Sequence, residues 1–339
     1  KRCENEVLGY TGKPDSYYNA IINWVKQRYD LIVTKEVINF VPGIVPGIGM
    51  AMNCFTQKGD KVMIQPPVYH PFAWVTTRNE RTLVINPLRW ENGMYRMDLD
   101  AFREQIKGCK LFILCNPHNP GGVVWTEAEL RAIADICYDE KVLVFSDEIH
   151  ADLTLPPHTH RPFATVSEKA RMNSVTFMSP SKAFNMPGLS ASHALIFNED
   201  LRKRFRIYMD AGELDMGHVF AFLSVEAAYS HGTEWLDQCL AYIQGNIDFV
   251  DEFLKKHAPK IKAIRPEASY LCWFDCRELE LSQKDLNEFF VDKAHLALND
   301  GEMFGKEGIG FMRLNVASPR CIIEKAMKQL ADAYQLYIK

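Results

Sequence analysis

The stretch Ser174-Val-Thr-Phe-Met-Ser-Pro-Ser-Lys-Ala-Phe-Asn185 decides the fold, because it leads directly from an apolar strand to a lysine. Residues 174–178 carry the β-branched and aromatic side chains that are enriched in strands. The turn that follows ends in Lys182, and open α/β sheets bind ligands at the carboxyl ends of their strands. Alone, Lys182 would be interpreted as a surface lysine, the usual environment of this residue type. Its position after the strand favours a functional amine.

Five further apolar runs predict strands of the same sheet. They are residues 61–65, 82–86, 111–115, 142–145 and 194–197, and they are apolar on both faces, as is typical of buried parallel strands. A capping box at Thr126-Glu-Ala-Glu129 predicts the start of a helix between two of these runs. The alternation indicates an α/β fold, with a mostly parallel, doubly wound sheet sandwiched by helices. We place this large domain at residues 33–235.

The rest of the chain predicts a smaller α+β domain, formed by residues 1–32 together with 236–339. Apolar residues at helical spacing predict a long helix over 234–257 and a final helix from about Ile322. Between them we predict strands at 261–265, 270–275 and 310–316, and a helix at 282–293. A helix at 15–29 would pack on this region.

Composition excludes several classes of function. The 339 residues carry a formal net charge of −4 without a basic tract, so we expect no nucleic-acid surface. No apolar run reaches the roughly 20 residues that span a bilayer, so we expect no membrane insertion. The nine cysteines are scattered and odd in number, which favours a reducing, cytoplasmic location. Cys272 and Cys276 lack a matching second pair, so we predict no metal site.

Acidic and basic side chains follow another predicted strand, in Phe145-Ser-Asp-Glu-Ile-His150. Asp147 closes an otherwise apolar run, and a buried carboxylate is costly unless it is paired with a cation. It would equally serve as a helix N-cap. Glu148 is interpreted as a structural or solvated acid. His150 would either approach a ligand from the same turn or be a hydrogen-bonded core histidine.

Two further loops offer an amide and an aromatic ring. Asn119 lies in Asn116-Pro-His-Asn-Pro-Gly-Gly122, which is a strong turn signal and also follows a strand. Tyr69 follows another strand, between prolines, where its ring would stack on a planar ligand or simply pack. Both residues are therefore candidates for binding at the same edge of the sheet.

The sequence also contains groups that would bind a phosphate and a carboxylate. The loop Pro42–Gly49 precedes a helical stretch that we expect from Met50, and such a loop presents free amides and the positive end of a helix to an anion. Ser179 would add a hydroxyl. Arg313 lies on a predicted strand, where its planar guanidinium suits an α-carboxylate or a surface acid.

Together these groups match the needs of pyridoxal 5′-phosphate. Its aldehyde requires an amine, and its ring nitrogen requires a carboxylate. Its ring hydroxyl requires a hydrogen-bond donor, and one face of its ring requires an aromatic side chain. Its phosphate requires free amides. We therefore predict this cofactor, with an amino acid as the small-molecule substrate.

With these residues in place, the chain resembles fold-type I pyridoxal-phosphate enzymes of the class I/II aminotransferase superfamily, and within it the MalY/PatB-type cystathionine β-lyase (C–S lyase) subgroup. The resemblance spans nearly the whole chain. Its segments are Gly9-Tyr-Thr11, Gly43-Ile-Val-Pro46, Pro67-Val-Tyr-His-Pro-Phe72, Cys115-Asn-Pro-His-Asn-Pro-Gly121, Ser146-Asp-Glu-Ile-His150, Ser179-Pro-Ser-Lys-Ala-Phe-Asn185 and Phe311-Met-Arg-Leu-Asn315.

The resemblance implies a role for each candidate residue. Lys182 would bind the cofactor aldehyde covalently and act as the catalytic base. Asp147 would pair with the ring nitrogen, Asn119 with the ring hydroxyl, and His150 and Tyr69 would contact the cofactor. The phosphate would be bound by Gly43, Ile44, Val45 and Ser179. Tyr10 would bind the phosphate of the neighbouring subunit. The substrate would be bound by Arg313 and Asn119. The implied assembly is a homodimer with shared active sites.

Two positions depart from the aminotransferases. Ser190 stands where many of them have a phosphate-binding arginine, and His150 where many have a tyrosine. Both fit the lyase subgroup better, and the resemblance also implies that the family's N-terminal segment is absent from this sequence. We expect α,β-elimination on cystathionine or cysteine S-conjugates, giving pyruvate, ammonia and a thiol. The alternatives are a pyridoxal-phosphate-dependent aminotransferase and a transcription-modulating binding protein related to MalY.

Overall fold

The computed structural model describes residues 2–337. The strands are β1 (Ile38–Val41), β2 (Lys61–Ile64), β3 (Thr82–Ile85), β4 (Arg89–Glu91), β5 (Met94–Arg96), β6 (Cys109–Cys115), β7 (Leu143–Asp147), β8 (Ser174–Met178), β9 (Ser192–Leu195), β10 (Lys262–Ile264), β11 (Leu271–Asp275), β12 (Asn299–Asp300) and β13 (Phe311–Asn315).

The helices are α1 (Asp15–Tyr29), α2 (Ile44–Phe55), α3 (Pro71–Arg78), α4 (Leu99–Gln105), α5 (Glu127–Asp139), α6 (Glu168–Met172), α7 (Glu199–Ala211), α8 (Val219–His231), α9 (Thr233–His257), α10 (Gln283–Glu288) and α11 (Arg320–Tyr337). A π-helical turn, Phe289–Lys293, continues α10, so the helix predicted at 282–293 is present in two forms.

The large sheet has seven strands in the order β1-β9-β8-β7-β6-β2-β3. Strands β3, β2, β6, β7 and β8 are mutually parallel, which confirms the mostly parallel sheet. The apolar run predicted at 194–197 forms β9, which runs antiparallel to both β8 and β1. The parallel interpretation of that run was wrong, because burial on both faces produces the same apolar composition in either direction.

Helices cover both faces of this sheet, as the alternation of side chains along β6 shows. Leu111 and Ile113 pack in one apolar cluster with α2, α3 and α7. Phe112 and Leu114 pack in the other with α4, α5 and α6. The predicted capping box begins α5, since the Glu129 amide donates to Thr126 Oγ1 at 3.2 Å and the Thr126 amide donates to Glu129 Oε2 at 2.8 Å.

The second sheet has four antiparallel strands in the order β10-β11-β13-β12. Its apolar face belongs to a cluster that also holds buried residues of α9 and α11. The long helix and the three strands predicted for this region are therefore present. The division of the chain at residues 32 and 235 stays a prediction.

Helix α1 is fixed by a buried carboxylate in the loop after β7. Asp152 Oδ1 accepts hydrogen bonds from the Trp24 indole, at 2.9 Å, and from the Tyr29 hydroxyl. The Trp24 ring also stacks on Tyr229 of α8, with ring centroids 4.7 Å apart. Helix α1 thereby packs against α8 and against the loop that carries His150.

Candidate active site

The carboxyl ends of β6, β7 and β8 meet at one edge of the large sheet, because Cys115 lies opposite Asp147 and Asp147 opposite Phe177. A cavity of about 250 Å³ opens there. Nine of the predicted site residues line it: Gly43, Ile44, Val45, Tyr69, Asn119, Asp147, His150, Lys182 and Arg313. Residues that are distant in the sequence therefore share one site.

Asp147 is a buried carboxylate at the wall of this cavity. Its side chain is only 3% exposed, and Oδ1 accepts a hydrogen bond from the Ile149 amide at 3.1 Å. Burial raises its pKa to about 7, against the opposing effect of the amide and, more weakly, of Lys182. A cation placed beside Asp147 would therefore be strongly favoured.

Glu148 has a structural role, in agreement with one of the two interpretations of the sequence. Its carboxylate is buried and accepts from Ser146 Oγ and from the Phe163 amide, both at 2.8 Å. The second oxygen lies 2.8 Å from His160 Nε2. These contacts fix the turn that presents Asp147 to the cavity.

The turn before Lys182 is held by serine hydroxyls. Ser179 Oγ lies 2.8 Å from Ser181 Oγ and 2.8 Å from the Ala191 carbonyl, and it accepts from the Ser181 amide at 3.1 Å. Ser181 is among the residues that line the cavity, and Ser179 is not. The serine of this motif that lines the cavity is therefore not the one selected from the sequence, and the assignment of Ser179 to the phosphate stays a prediction.

Helix α2 begins at Ile44, with Gly43 as its N-cap, and not at Met50 as expected. The first intrahelical bond runs from the Gly47 amide to the Gly43 carbonyl at 2.9 Å. The amides of Ile44 and Val45 precede it and have no carbonyl partner within the helix. They lie at the positive end of the helix dipole, so this end of the cavity suits a phosphate.

Arg313 reaches the cavity from β13 of the small sheet. Its Nη1 donates to Asn119 Oδ1 and its Nη2 to Asn299 Oδ1, each at 2.8 Å. Burial lowers its pKa to about 10, so it remains a cation at neutral pH. Since Asn119 and Arg313 are hydrogen-bonded, the predicted cofactor and substrate contacts adjoin each other.

His150 and Tyr69 complete the wall. His150 is buried, and its Nδ1 has no hydrogen-bond partner within residues 2–337, so the hydrogen-bonded core histidine is not what the structure shows. Burial lowers its pKa to about 3 and keeps it neutral. The Tyr69 ring packs edge-on against Phe72, with centroids 5.7 Å apart.

Tyr10 lies outside this cavity. Its side chain is 97% exposed and contributes to a separate surface cavity with residues 216–220. Its predicted contact is with a neighbouring subunit, so this chain alone does not test it.

The cavity residues for which the sequence predicted no role include Ser181, Ser190 and Tyr270. Ser181 belongs to the lysine motif and could have been found there. Ser190 had been noted only as a replacement for arginine, and it lines the cavity in a left-handed conformation, with φ of 47°. Tyr270 precedes β11, and nothing in the sequence near it signals a site. It also lines, with Lys182, an adjoining cavity of about 420 Å³.

Residues 4–330 match the family described as aminotransferase class I and II. The chain belongs to this family. The match covers almost the entire sequence, and both sheets lie within it.

Relatives with known names share most of the chain. The sequence is 37% identical to cystathionine β-lyase PatB of Bacillus subtilis, over 98% of this chain and 87% of that protein. The fold is similar to that of cystalysin from Treponema denticola, a structure that contains pyridoxal 5′-phosphate, with a TM-score of 0.96, 34% identity and coverage of 100% and 86%. It is also similar to the pyridoxal-phosphate-bound C–S lyase of Staphylococcus hominis, with a TM-score of 0.91, 33% identity and coverage of 98% and 87%.

No helix in residues 2–337 combines the length and hydropathy needed to cross a membrane. Within the same residues, no cluster of three or more histidine, cysteine or acidic side chains is arranged to hold a metal ion. All nine cysteines lie in this part of the chain and are free.

Proposed function

We propose that this protein is a pyridoxal 5′-phosphate-dependent carbon–sulfur β-lyase. It acts by α,β-elimination on cystathionine or on cysteine S-conjugates and releases pyruvate, ammonia and a thiol. The observation that carries the proposal is the meeting of Lys182, Asp147 and Arg313 at one cavity, since these supply an amine, a carboxylate and a guanidinium. The curated relative PatB and the solved C–S lyase of S. hominis support the choice of reaction.

The charged and polar groups of the cavity fit the cofactor. Asp147 is buried beside the cavity with a raised pKa, which a pyridinium partner would relieve. The unpaired first-turn amides of Ile44 and Val45 suit the phosphate. His150 Nδ1 and Asn119 are polar groups at the same wall that would face the ring substituents.

Each residue then has a task in the reaction. When bound, the cofactor supplies an aldehyde for the substrate amine and a cationic ring that withdraws electrons from Cα. Asp147 holds the proton on the ring nitrogen, and Arg313 binds the α-carboxylate in a bidentate fashion. Lys182, once its amine is free, takes the proton from Cα as a general base. The thiolate at Cβ leaves with its electron pair, and hydrolysis of the remaining unsaturated amino acid by water gives pyruvate and ammonia.

The competing assignment, an aminotransferase, uses the same residues but returns the proton to the cofactor. Incubation of the loaded protein with L-cystathionine and no keto acid separates the two. We expect stoichiometric pyruvate and homocysteine from the wild type and neither product from Lys182→Ala. Strict dependence of turnover on an added keto acid would reject the lyase in favour of the transaminase.

The proposal extends to a cytoplasmic homodimer in which Tyr10 completes the site of the partner. The almost complete exposure of the Tyr10 ring in the single chain supports it. Mixing Tyr10→Ala with Lys182→Ala tests the arrangement, because a mixed dimer would contain one site with both native residues. Activity should reappear after subunit exchange. If the activity of the mixture does not exceed the average of the activities of the two separate variants, the sites are not shared.

A further inference from the structure

The Arg313 guanidinium is held by neutral groups on every side that the structure describes. Two amide oxygens, Asn119 Oδ1 and Asn299 Oδ1, each accept from it at 2.8 Å. The ring of Phe304 lies against its face, with the guanidinium carbon 4.5 Å from the ring centroid. Among residues 2–337, no carboxylate forms an ion pair with Arg313, and none is among the groups that shift its pKa.

The strand pairing places Asn299 at Arg313. Strand β12 lies antiparallel to β13, and Asn299 is the residue opposite Arg313 in that ladder. Residues directly opposite on neighbouring strands have side chains within contact distance. The amide of Asn299 therefore reaches Nη2 without any distortion of the sheet.

Phe304 links the same guanidinium to the loop that carries Tyr69. Its side chain is buried and packs edge-on against Trp273, with centroids 5.4 Å apart. Its carbonyl accepts from the Val68 amide at 2.9 Å. The ring beneath Arg313 is thus fixed by the core on one side and by the neighbour of Tyr69 on the other.

Neutral partners leave the charge of the guanidinium available. An amide oxygen or an aromatic face stabilises a cation without cancelling its charge, whereas a carboxylate in the same place would compete with any incoming anion. Arg313 Nε is buried and has no hydrogen-bond partner within residues 2–337. The guanidinium is therefore held in place by hydrogen bonds, but no carboxylate within these residues neutralises its charge.

We propose that Asn299 and Phe304 are positioning residues that hold Arg313 in an uncharged clamp and thereby make the site selective for substrates with a free α-carboxylate. The inference rests on the proposed function only in that Arg313 binds the substrate carboxylate. It does not depend on which bond of the substrate is cleaved.

The test measures binding of L-alanine and of L-alaninamide to the cofactor-loaded protein by calorimetry. L-Alanine has the carboxylate but no leaving group at Cβ, so its binding does not require lyase activity. In Asn299→Asp the new carboxylate should pair with Arg313 and raise the dissociation constant of L-alanine about fivefold to tenfold, while that of L-alaninamide stays unchanged. Phe304→Leu should weaken L-alanine about threefold to fivefold by removing the aromatic face.

Asn92→Asp is the matched control, because it introduces the same charge at an exposed turn between β4 and β5. It should bind both ligands as the wild type does. With the lyase substrate, Asn299→Asp should raise KM and leave kcat nearly unchanged. The clamp is rejected if Asn299→Asp binds L-alanine like the wild type, or if it weakens L-alanine and L-alaninamide equally. If the wild type does not cleave L-cystathionine but Asn299→Asp still weakens L-alanine and not L-alaninamide, the lyase assignment is rejected and the proposed role of Asn299 is retained.

Discussion

Replacing Asp147 with asparagine should stabilise the cofactor-free protein and remove its proposed activity. The native carboxylate is buried, and burial raises its pKa from the ordinary 3.8 to about 7. A tenfold change in proton affinity is worth about 1.4 kcal/mol, so keeping this group charged in the fold costs about 4 kcal/mol above pH 7. Asparagine has nearly the same shape and still accepts from the Ile149 amide, but it carries no charge.

The sign of the pH dependence follows from the direction of the shift. Because the folded state binds the proton more tightly than the unfolded state, the destabilisation is absent below the ordinary pKa and grows until pH 7. The advantage of Asp147→Asn should therefore be about 4 kcal/mol at pH 8 and less than about 2 kcal/mol at pH 5. The buried neutral histidines His118 and His150 act in the opposite direction, and they cancel when the two proteins are compared at the same pH.

Urea unfolding of the cofactor-free proteins, followed by circular dichroism at pH 5 and pH 8, measures this difference. Asp98→Asn provides a control with the same chemical change and the opposite sign, since hydrogen bonds from backbone amides hold the pKa of Asp98 below its ordinary value. Lyase activity of the loaded Asp147→Asn protein should fall about 100-fold or more, because an amide does not hold the ring proton. A variant less stable than the wild type at pH 8, or a gain that does not shrink at pH 5, would refute the reasoning.

Three further substitutions test the supports of the site. Thr126→Ala removes the cap of α5 and should lower the free energy of unfolding by about 1 kcal/mol in urea titrations, with cofactor affinity unchanged. Gly47→Ala should weaken both stability and cofactor binding, measured by melting and equilibrium dialysis, because a Cβ there would lie 2.9 Å from Val41 Cγ2 and push α2 off the sheet; equal cofactor affinity would contradict this. Glu148→Gln turns an acceptor of three contacts into a partial donor and should cost about 2 kcal/mol in the same titrations; an unchanged midpoint would be inconsistent with that network.

The sequence predicted six of the seven strands of the large sheet, because their apolar runs are continuous and bounded by turn residues, but it did not predict β1. It also predicted α1 and the start of α5, where the cap at Thr126 has a local signature. It did not predict the direction of β9 or the early start of α2. Strand direction depends on the partner strand, and the glycines and prolines of residues 42–49 indicate a loop as readily as a first helical turn.

The site was predictable where its residues end a strand, as Asp147 does, or closely follow one, as Asn119 and Lys182 do. Asn299, Phe304 and Tyr270 lie near these groups only through pairing or packing between distant segments, and their local sequences carry no sign of it. Ser179 and Ser181 show the remaining limit. The motif contains both serines, but only the geometry of the turn shows that Ser181, and not Ser179, lines the cavity.

The attachment of α1 to Asp152 bears on how shortened forms of the protein should be designed. A version that starts at Leu31 would lose the indole and the phenol that satisfy this carboxylate, and it would also lose the ring stacked on Tyr229. An unsatisfied acid would then sit directly after the loop that ends in His150. Helix α1 therefore stabilises the loop that carries His150, and removing this helix to improve expression would disturb the cavity that His150 lines.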